Sequence, residues 1–111
     1  MSIHIKLQKY FNTWNTRNWE SYYNLLDPNC TYKDWQLDEL GDQEITEKQE
    51  AITTQHPDLT LKVKELIIAD TIGKVYVEAE LISDVNDSII DTMFVFTYNE
   101  QLDFTSIRGY K

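Results

Sequence analysis

The chain has 111 residues and a formal net charge of −9, because 19 Asp and Glu residues outnumber 10 Lys and Arg residues. This length predicts a single domain over residues 1–111, with a core of modest size. The negative charge argues against nucleic acid and anionic membrane surfaces as partners, since both would repel the chain. No apolar run approaches the roughly 20 residues that cross a membrane as a helix.

The cysteine content and the first residues of the chain indicate a cytoplasmic protein. The one cysteine, Cys30, permits no internal disulfide bond, as is typical of a reducing compartment. Residues 1–11, MSIHIKLQKYF, have a helical pattern and lack the apolar centre of an export signal. We therefore expect a cytoplasmic location.

The first predicted element is an amphipathic helix that ends near Asn15. Apolar side chains recur at helical spacing, and Ser2 stands where an N-cap residue is expected. The Asn-Thr-Arg-Asn sequence of residues 15–18 then favours a turn. The apolar positions of this helix are Ile3, Leu7, Tyr10 or Phe11, and Trp14.

A short second helix and the first strand are predicted next. Asn18 is placed to cap the helix, and residues 27–29, Asp-Pro-Asn, are expected to end it, because the residue before a proline is disfavoured in the α conformation. The following residues alternate as in a strand, which puts Cys30, Tyr32 and Asp34 on one face. The apolar residues of the helix are Trp19, Tyr22, Tyr23 and Leu26.

A polar loop and a third helix follow the first strand. Residues 36–44 are acidic and predict a loop that forms a rim beside that strand. Thr46 and Gln49 fit a capping box, with Thr46 as the cap. The helix is expected to run to about Gln55 and to end at residues 56–58, His-Pro-Asp. Its main candidates for burial are Ala51 and Ile52.

The second half of the chain predicts four β-strands joined by turns. Residues 59–68 alternate, but the apolar phase changes after Glu65, which is typical of a β-bulge that bends a sheet. Residues 75–82, 89–98 and 104–110 form the other strands. We therefore predict an α+β fold, in which three N-terminal helices pack in the concave face of a strongly bent antiparallel sheet.

The order and spacing of these elements resemble the SnoaL-like branch of the NTF2-like superfamily, which has a cystatin-like cone fold. The stretches that carry the resemblance are the first helix with its central tyrosine, LLDPNCTYKD at 25–34, HPDL at 56–59, and FTYNEQLDFTSIRGY at 96–110. The resemblance covers nearly the whole chain and implies a conical cavity under the bent sheet. It also implies a homodimer, formed through the outward strand face that carries Tyr76, Glu78 and Glu80.

Asp34 and Tyr10 are the catalytic residues that the resemblance implies. Their spacing matches the general-base aspartate and the tyrosine of ketosteroid isomerase, a member of that superfamily. A shielded carboxylate can accept a proton from a carbon next to a carbonyl group, and a neutral tyrosine can donate a hydrogen bond to the developing oxyanion. The alternatives are that Asp34 faces water at a strand end and that Tyr10 only fills the core.

The second aspartate of the isomerase has no aligned counterpart in this chain. Counted back from Phe96 and Tyr98, its position falls on Phe94. Asp91 lies in the opposite phase and is expected to face away from these side chains. This departure argues against steroid isomerisation, because the oxyanion hole would lose one donor.

Five further side chains are candidate ligand contacts, since aromatic-lined concave sites commonly bind small molecules. The aromatic members could equally fill the core, and the arginine could pair with a carboxylate of the sheet. Two isolated histidines and one cysteine give no metal-ligand spacing, so we expect no metal and no cofactor. The candidate contacts are Trp14, Tyr32, Trp35, Phe94 and Arg108.

Two hypotheses about function follow from these residues. The first is a cofactor-independent isomerase or cyclase that binds a small apolar molecule, such as a polyketide-like or steroid-like carbonyl compound. The second is a non-catalytic ligand-binding or dimerisation module, because the same fold can carry either role. The enzyme hypothesis requires Asp34 and Tyr10 to meet at one cavity.

Overall fold

The computed structural model describes residues 2–111, which form three α-helices, one 3-10 turn and five β-strands. These elements confirm the predicted α+β class and the presence of three helices. In chain order they are α1 (Ile3–Asn15), α2 (Trp19–Tyr23), β1 (Leu26–Lys33), α3 (Asp42–Gln55), β2 (Leu59–Ala69), the 3-10 turn (Asp70–Ile72), β3 (Lys74–Ser83), β4 (Ser88–Tyr98) and β5 (Phe104–Tyr110).

The strands form one sheet in the order β1-β5-β4-β3-β2. The pairs among β2, β3, β4 and β5 are antiparallel, as predicted, whereas β1 runs parallel to β5 and makes the sheet mixed. Parallel strands need a long crossover, and α3 supplies part of it by connecting β1 at one edge to β2 at the other. The polypeptide therefore passes over the concave face between the two edges of the sheet.

The predicted β-bulge lies in β2. Val63 pairs with Ala79 and Glu65 pairs with Glu78, so Lys64 is an extra residue on the β2 side. An extra residue bends a strand and increases its twist. The phase change in the sequence thus marked the position where this edge of the sheet curves over the helices.

A second register shift lies in the pairing of β4 with β5. Thr97 pairs with Ser106 and Tyr98 pairs with Phe104, so one residue of β5 is left without a partner. Simple alternation from Phe104 would place Arg108 on the core face. Because of the shift, Phe104 and Ile107 are both fully buried, and Arg108 turns to the opposite face.

The core lies between α1 and the concave face of the sheet and is rich in aromatic rings. The ring of Tyr10 packs edge-on against Phe96 and Phe104, with centroids 4.9 Å and 5.7 Å away. Such pairs contribute about 0.5–1.5 kcal/mol each beyond the area that they bury. Val75 and Val77 of β3 are fully buried in the same core, on the face opposite the one predicted to point outward.

Both predicted N-caps of the first two helices are present. The side chain of Ser2 accepts a hydrogen bond from Ile5 N, and that of Asn18 accepts one from Ser21 N. However, α2 ends at Tyr23, earlier than the pattern predicted, and Asp-Pro-Asn lies inside β1. Leu26 is held there by pairing with β5, and a proline is tolerated because β1 is an edge strand.

The predicted start of α3 is wrong. The helix begins at Asp42 with Gly41 as its N-cap, and Thr46 lies within the helix rather than at its cap. The buried face follows a row with a spacing of four residues, and that row packs toward β1. Its members are Ile45, Gln49 and Thr53, whereas Ala51 is exposed and Ile52 is half-buried, contrary to the prediction.

Candidate functional site

A small cavity lies between α1, α3, the end of β1 and the concave face of the sheet; we call it the cone cavity. Its volume is about 50 Å³, which leaves room for a few water molecules but is far below the roughly 300–1,000 Å³ of a pocket for a drug-sized ligand. Its lining contains no lysine or arginine. The lining residues are Trp14, Tyr32, Asp34, Trp35, Gln36, Gln49, Ile52, Leu59, Leu61, Leu81 and Phe94.

Asp34 stands directly after β1, with a half-buried carboxylate in the wall of the cavity. Tyr32 Oη donates a hydrogen bond to its Oδ2 at 2.8 Å. The backbone amides of Gln36 and Leu37 donate to its Oδ1, each at 2.8 Å. An ionised carboxylate offers about four acceptor positions, so these three donors fix its orientation and leave one position free.

Tyr10 belongs to the aromatic core and does not line the cone cavity. Its side chain is 2% exposed, and its hydroxyl group hydrogen-bonds that of Tyr22 at 2.9 Å. Burial raises the pKa of Tyr10 well above its ordinary value, so the phenol is neutral. The structure therefore does not bring the predicted donor to the cavity, and the phenol beside Asp34 is that of Tyr32.

Tyr32 links the core to the cavity wall. Burial raises the pKa of Tyr32 well above its ordinary value, and the charges of nearby groups, including Asp34, raise it further. The side-chain amide of Gln49 faces the Tyr32 hydroxyl group and opposes this rise in pKa, although the contact falls outside hydrogen-bond geometry. Tyr32 therefore remains a neutral donor to the Asp34 carboxylate.

Gln49 is a polar residue of the cavity that the sequence did not reveal. Its side chain is 4% exposed, and Trp14 Nε1 donates to its Oε1 at 2.9 Å. Its Nε2 is buried and has no hydrogen-bond partner. The sequence signal that could have found it is the row of Ile45, Gln49 and Thr53, which shares one face of α3.

The aromatic candidates line the cone cavity, whereas Arg108 lies outside it and lines, with Asp34 and Trp35, a larger open depression of about 460 Å³. Trp14, Trp35 and Phe94 line the cone cavity, and the rings of Trp35 and Phe94 are 6.3 Å apart. Arg108 does not line it, because its Nη2 donates to Glu39 Oε1 at 2.7 Å and also to a threonine of β1. Arg108 thus pairs with a carboxylate, but that carboxylate belongs to the loop after β1 and not, as the alternative had it, to the sheet.

Gly109 of β5 makes room for the cavity wall. A Cβ atom at this position would lie 3.0 Å from the Cβ atom of Asp34 and 3.0 Å from the ring of Phe94. Contacts of this length are tighter than nine in ten real Cβ contacts, so a neighbour would have to give by a few tenths of an ångström. The absence of a side chain at Gly109 thus lets Asp34 and Phe94 stand close together.

Other reactive side chains lie away from the cone cavity. Asp91 is exposed on the outer face of the sheet, opposite Glu80. Burial raises the pKa of the Cys30 thiol to about 12, so it stays protonated. His4 and His56 are both exposed.

Among residues 2–111, no three His, Cys, Asp or Glu side chains are grouped to hold a metal ion. In the same residues, no helix is long and apolar enough to span a membrane.

Comparison with known proteins finds similarity at the level of structure only. No protein-family model and no curated protein matches the sequence. Among solved structures, an uncharacterised cystatin-fold protein from Novosphingobium aromaticivorans has a TM-score of 0.85 and 12% sequence identity. The match covers 100% of this chain and 99% of that chain.

Two further solved structures have names that refer to an activity. A candidate polyketide cyclase from Sinorhizobium meliloti has a TM-score of 0.82 and 13% identity, over 94% of this chain and 92% of that one. A candidate isomerase of the SnoaL-like family from Agrobacterium tumefaciens has a TM-score of 0.79 and 20% identity, over 99% and 97%. At these identities the similarity shows a common fold.

Proposed function

We propose that this chain, which has the NTF2-like cone fold, binds a small carbonyl compound in the cone cavity and transfers a proton next to the carbonyl group. The observation that carries the proposal is the Asp34 carboxylate, which three donors hold in the wall of an aromatic-lined cavity. A fixed, partly shielded carboxylate with one free acceptor position is suited to act as a general base. The candidate cyclase and isomerase of the same fold support this class of reaction.

The proposed reaction needs no cofactor. The bond between the α-carbon and its hydrogen breaks, the proton joins a carboxylate oxygen of Asp34, and the electron pair moves into an enolate. If the protonated Asp34 first swaps its proton with solvent and then reprotonates the same carbon, the result is exchange; if it delivers the proton to a conjugated carbon, the result is isomerisation. Tyr32 is a positioning residue in this scheme, because its hydroxyl group donates to the carboxylate and holds it in place.

The size and charge of the cavity limit the ligand. With about 50 Å³, the cavity admits the carbonyl end of a small molecule, and a polyketide-like or steroid-like remainder would have to lie outside it. The lining combines apolar side chains with one carboxylate and lacks a cation. A neutral, largely apolar carbonyl compound therefore fits better than a carboxylate.

Proton exchange on simple ketones in D₂O tests this proposal. We expect the protein to speed the loss of α-hydrogen signals of acetone or cyclopentanone in proton NMR spectra. Asp34→Asn should lower the second-order rate constant by about 10²–10⁴-fold, the usual contribution of a general base. The control is Asp38→Asn, which makes the same change on an exposed loop residue outside the cavity. No acceleration by the wild type, or equal rates for Asp34→Asn, would contradict the proposal.

A non-catalytic binding module is the second candidate. It is favoured by the Tyr10 hydroxyl group, which is occupied by Tyr22 and so is not free to stabilise an oxyanion. In that case the ketones would shift NMR signals of cavity residues such as Trp35 without any exchange of their α-hydrogens. Binding without exchange therefore separates this function from the enzymatic one.

We also propose that two copies form a homodimer through the outward face of β2, β3 and β4. Ile67 is 63% exposed and Met93 is 39% exposed on this face, which gives it an apolar centre. Glu65 and Glu78 lie beside them and would repel a second copy at low ionic strength. Light scattering should show more dimer at high salt for the wild type and a monomer for Ile67→Glu; a wild type that stays monomeric at high salt would contradict the proposal.

The proposed location is the cytoplasm. Cys30 is buried and has no second cysteine with which to pair, and proteins of reducing compartments commonly keep such thiols free. Fractionation of cells that express the chain should recover it with cytoplasmic markers. Recovery with secreted or membrane material would contradict this location.

A further inference from the structure

Two buried polar side-chain atoms stand out on α3. Within residues 2–111, Gln49 Nε2 and Thr46 Oγ1 are the buried side-chain atoms that lack a hydrogen-bond partner. Folded proteins leave few such atoms, because each costs about 1–3 kcal/mol. Gln49 lines the cone cavity and Thr46 does not. The unpaired donor of the cavity wall is therefore the amide nitrogen of Gln49.

The orientation of the Gln49 amide is fixed by its neighbour on α1. The indole nitrogen of Trp14 can only donate, so the atom that it meets at 2.9 Å is the amide oxygen. The two hydrogens on Nε2 must therefore point elsewhere. No described group accepts them at hydrogen-bond geometry, although the amide lies near enough to the Tyr32 hydroxyl group to oppose the rise in the pKa of that tyrosine. A ligand oxygen in the cavity would give them a full acceptor.

We infer that Gln49 Nε2 donates the hydrogen bond that recognises the carbonyl oxygen of the ligand, the role predicted for Tyr10. The inference rests on the proposed function for the class of ligand. Gln49 and Asp34 line the same cavity, so a ligand can place its oxygen at the amide and its acidic C–H bond at the carboxylate. As that bond breaks, negative charge grows on the oxygen and the N–H···O bond strengthens.

The same pair of residues selects among ligands. A ketone, aldehyde or ester satisfies the Gln49 donor without placing a charge beside Asp34. A carboxylate would satisfy the donor but is repelled by Asp34, and the lining offers no cation to offset that repulsion. A hydrocarbon of the same shape would leave Gln49 unpaired, so a neutral oxygen acceptor is the group that the cavity prefers.

An NMR titration with two matched probes tests this inference directly. The probes are cyclopentanone and methylenecyclopentane, in which a CH₂ group replaces the carbonyl oxygen. We expect cyclopentanone to move the side-chain amide signals of Gln49 downfield and methylenecyclopentane to leave them in place. Because the readout is the wild-type amide, assigned through its covalent connections, the test does not depend on any variant that folds poorly.

Two variants separate recognition from a purely structural role. Gln49→Met has a similar shape and no donor; it should weaken cyclopentanone binding about 2- to 10-fold and leave the affinity for methylenecyclopentane unchanged. Thr53→Val is the control, since its hydroxyl group is buried on the same face of α3 but bonds only to helix carbonyl groups outside the cavity. It should bind both probes as the wild type does.

The outcomes distinguish this inference from the proposed function. If cyclopentanone binds and leaves the Gln49 amide signals unmoved, or binds Gln49→Met as tightly as the wild type, the inference is wrong. If the signals move but no α-hydrogen exchanges, Gln49 recognises the carbonyl group and the proposed proton transfer fails. If cyclopentanone does not bind, both are overturned.

Discussion

The paired hydroxyl groups of Tyr10 and Tyr22 are the most deeply buried polar contact of the core, at 2.9 Å and with both rings almost fully covered. Removing one hydroxyl group leaves the other unpaired, whereas removing both leaves an apolar contact. We predict that Tyr10→Phe and Tyr22→Phe each lower the free energy of unfolding by about 1–3 kcal/mol. The double variant should lose less than the sum, because the two groups share one bond. Urea unfolding of the four proteins measures this coupling, and additive losses would show that the bond contributes nothing.

Buried tyrosines also set how the protein responds to alkali. Burial raises the pKa of Tyr10, Tyr22 and Tyr32 above the ordinary value of 10.0. Above that pH the unfolded chain loses protons that the folded chain keeps, so the stabilisation is complete below about pH 10 and is lost as the pH rises through the folded values. We predict that the free energy of unfolding is level up to about pH 9 and then falls.

Tyrosinate absorbance, measured as the pH is raised, tests this predicted loss of stability. The buried phenols should ionise only together with unfolding, in a steep step. Tyr22→Phe should flatten the loss of stability with pH, and Tyr110→Phe, which removes an exposed tyrosine, should not. A smooth titration near pH 10 of all tyrosines in the folded protein would contradict the prediction.

At the scale of elements, the outward face of the sheet carries a cross-strand pair of like charges. Glu65 of β2 lies directly opposite Glu78 of β3, next to the bulge. Like charges in this position destabilise a sheet, and opposite charges contribute roughly 0.2–1 kcal/mol. We predict that Glu65→Lys raises the free energy of unfolding by about 0.5–1 kcal/mol in low salt and by less in high salt.

Glu100→Lys is the matched control for this element. It makes the same change of net charge in the turn between β4 and β5, where no strand residue faces it. Denaturation at two salt concentrations compares the two variants. If both stabilise the protein equally, the gain comes from lower net charge and the cross-strand pair has no separate effect.

The observed ends of the helices and strands show which structural features local sequence can predict. Ser2 and Asn18 were predicted as caps because a cap depends on residues three positions away. The β-bulge after Val63 was predicted from the apolar phase, which is also local. The start of β1 was not predicted, because Leu26 is held in the sheet by Phe104, a residue far along the chain. The capping box at Thr46 was a false local signal, since α3 already begins at Asp42 with Gly41 as its N-cap.

At the scale of the whole molecule, the sequence predicted the cone cavity and part of its lining, but it did not predict the volume of that cavity. Alternation placed Tyr32 and Asp34 on one face, and both line the cavity. Tyr10 was expected there as well, but its hydroxyl group turns to Tyr22 inside the core. The unpaired amide of Gln49 depends on how α1, α3 and β1 meet. No pattern within a single element contains that information.

The proton-transfer account can be tested most directly by α-hydrogen exchange of cyclopentanone in D₂O, followed by proton NMR with the wild type and Asp34→Asn side by side. The account predicts that exchange is faster with the wild type than in buffer alone. It also predicts that the rate constant of the variant, whose cavity is intact, is at least about 100-fold lower than that of the wild type. Equal rates for the two proteins would contradict it, since the base would then lie elsewhere or be absent.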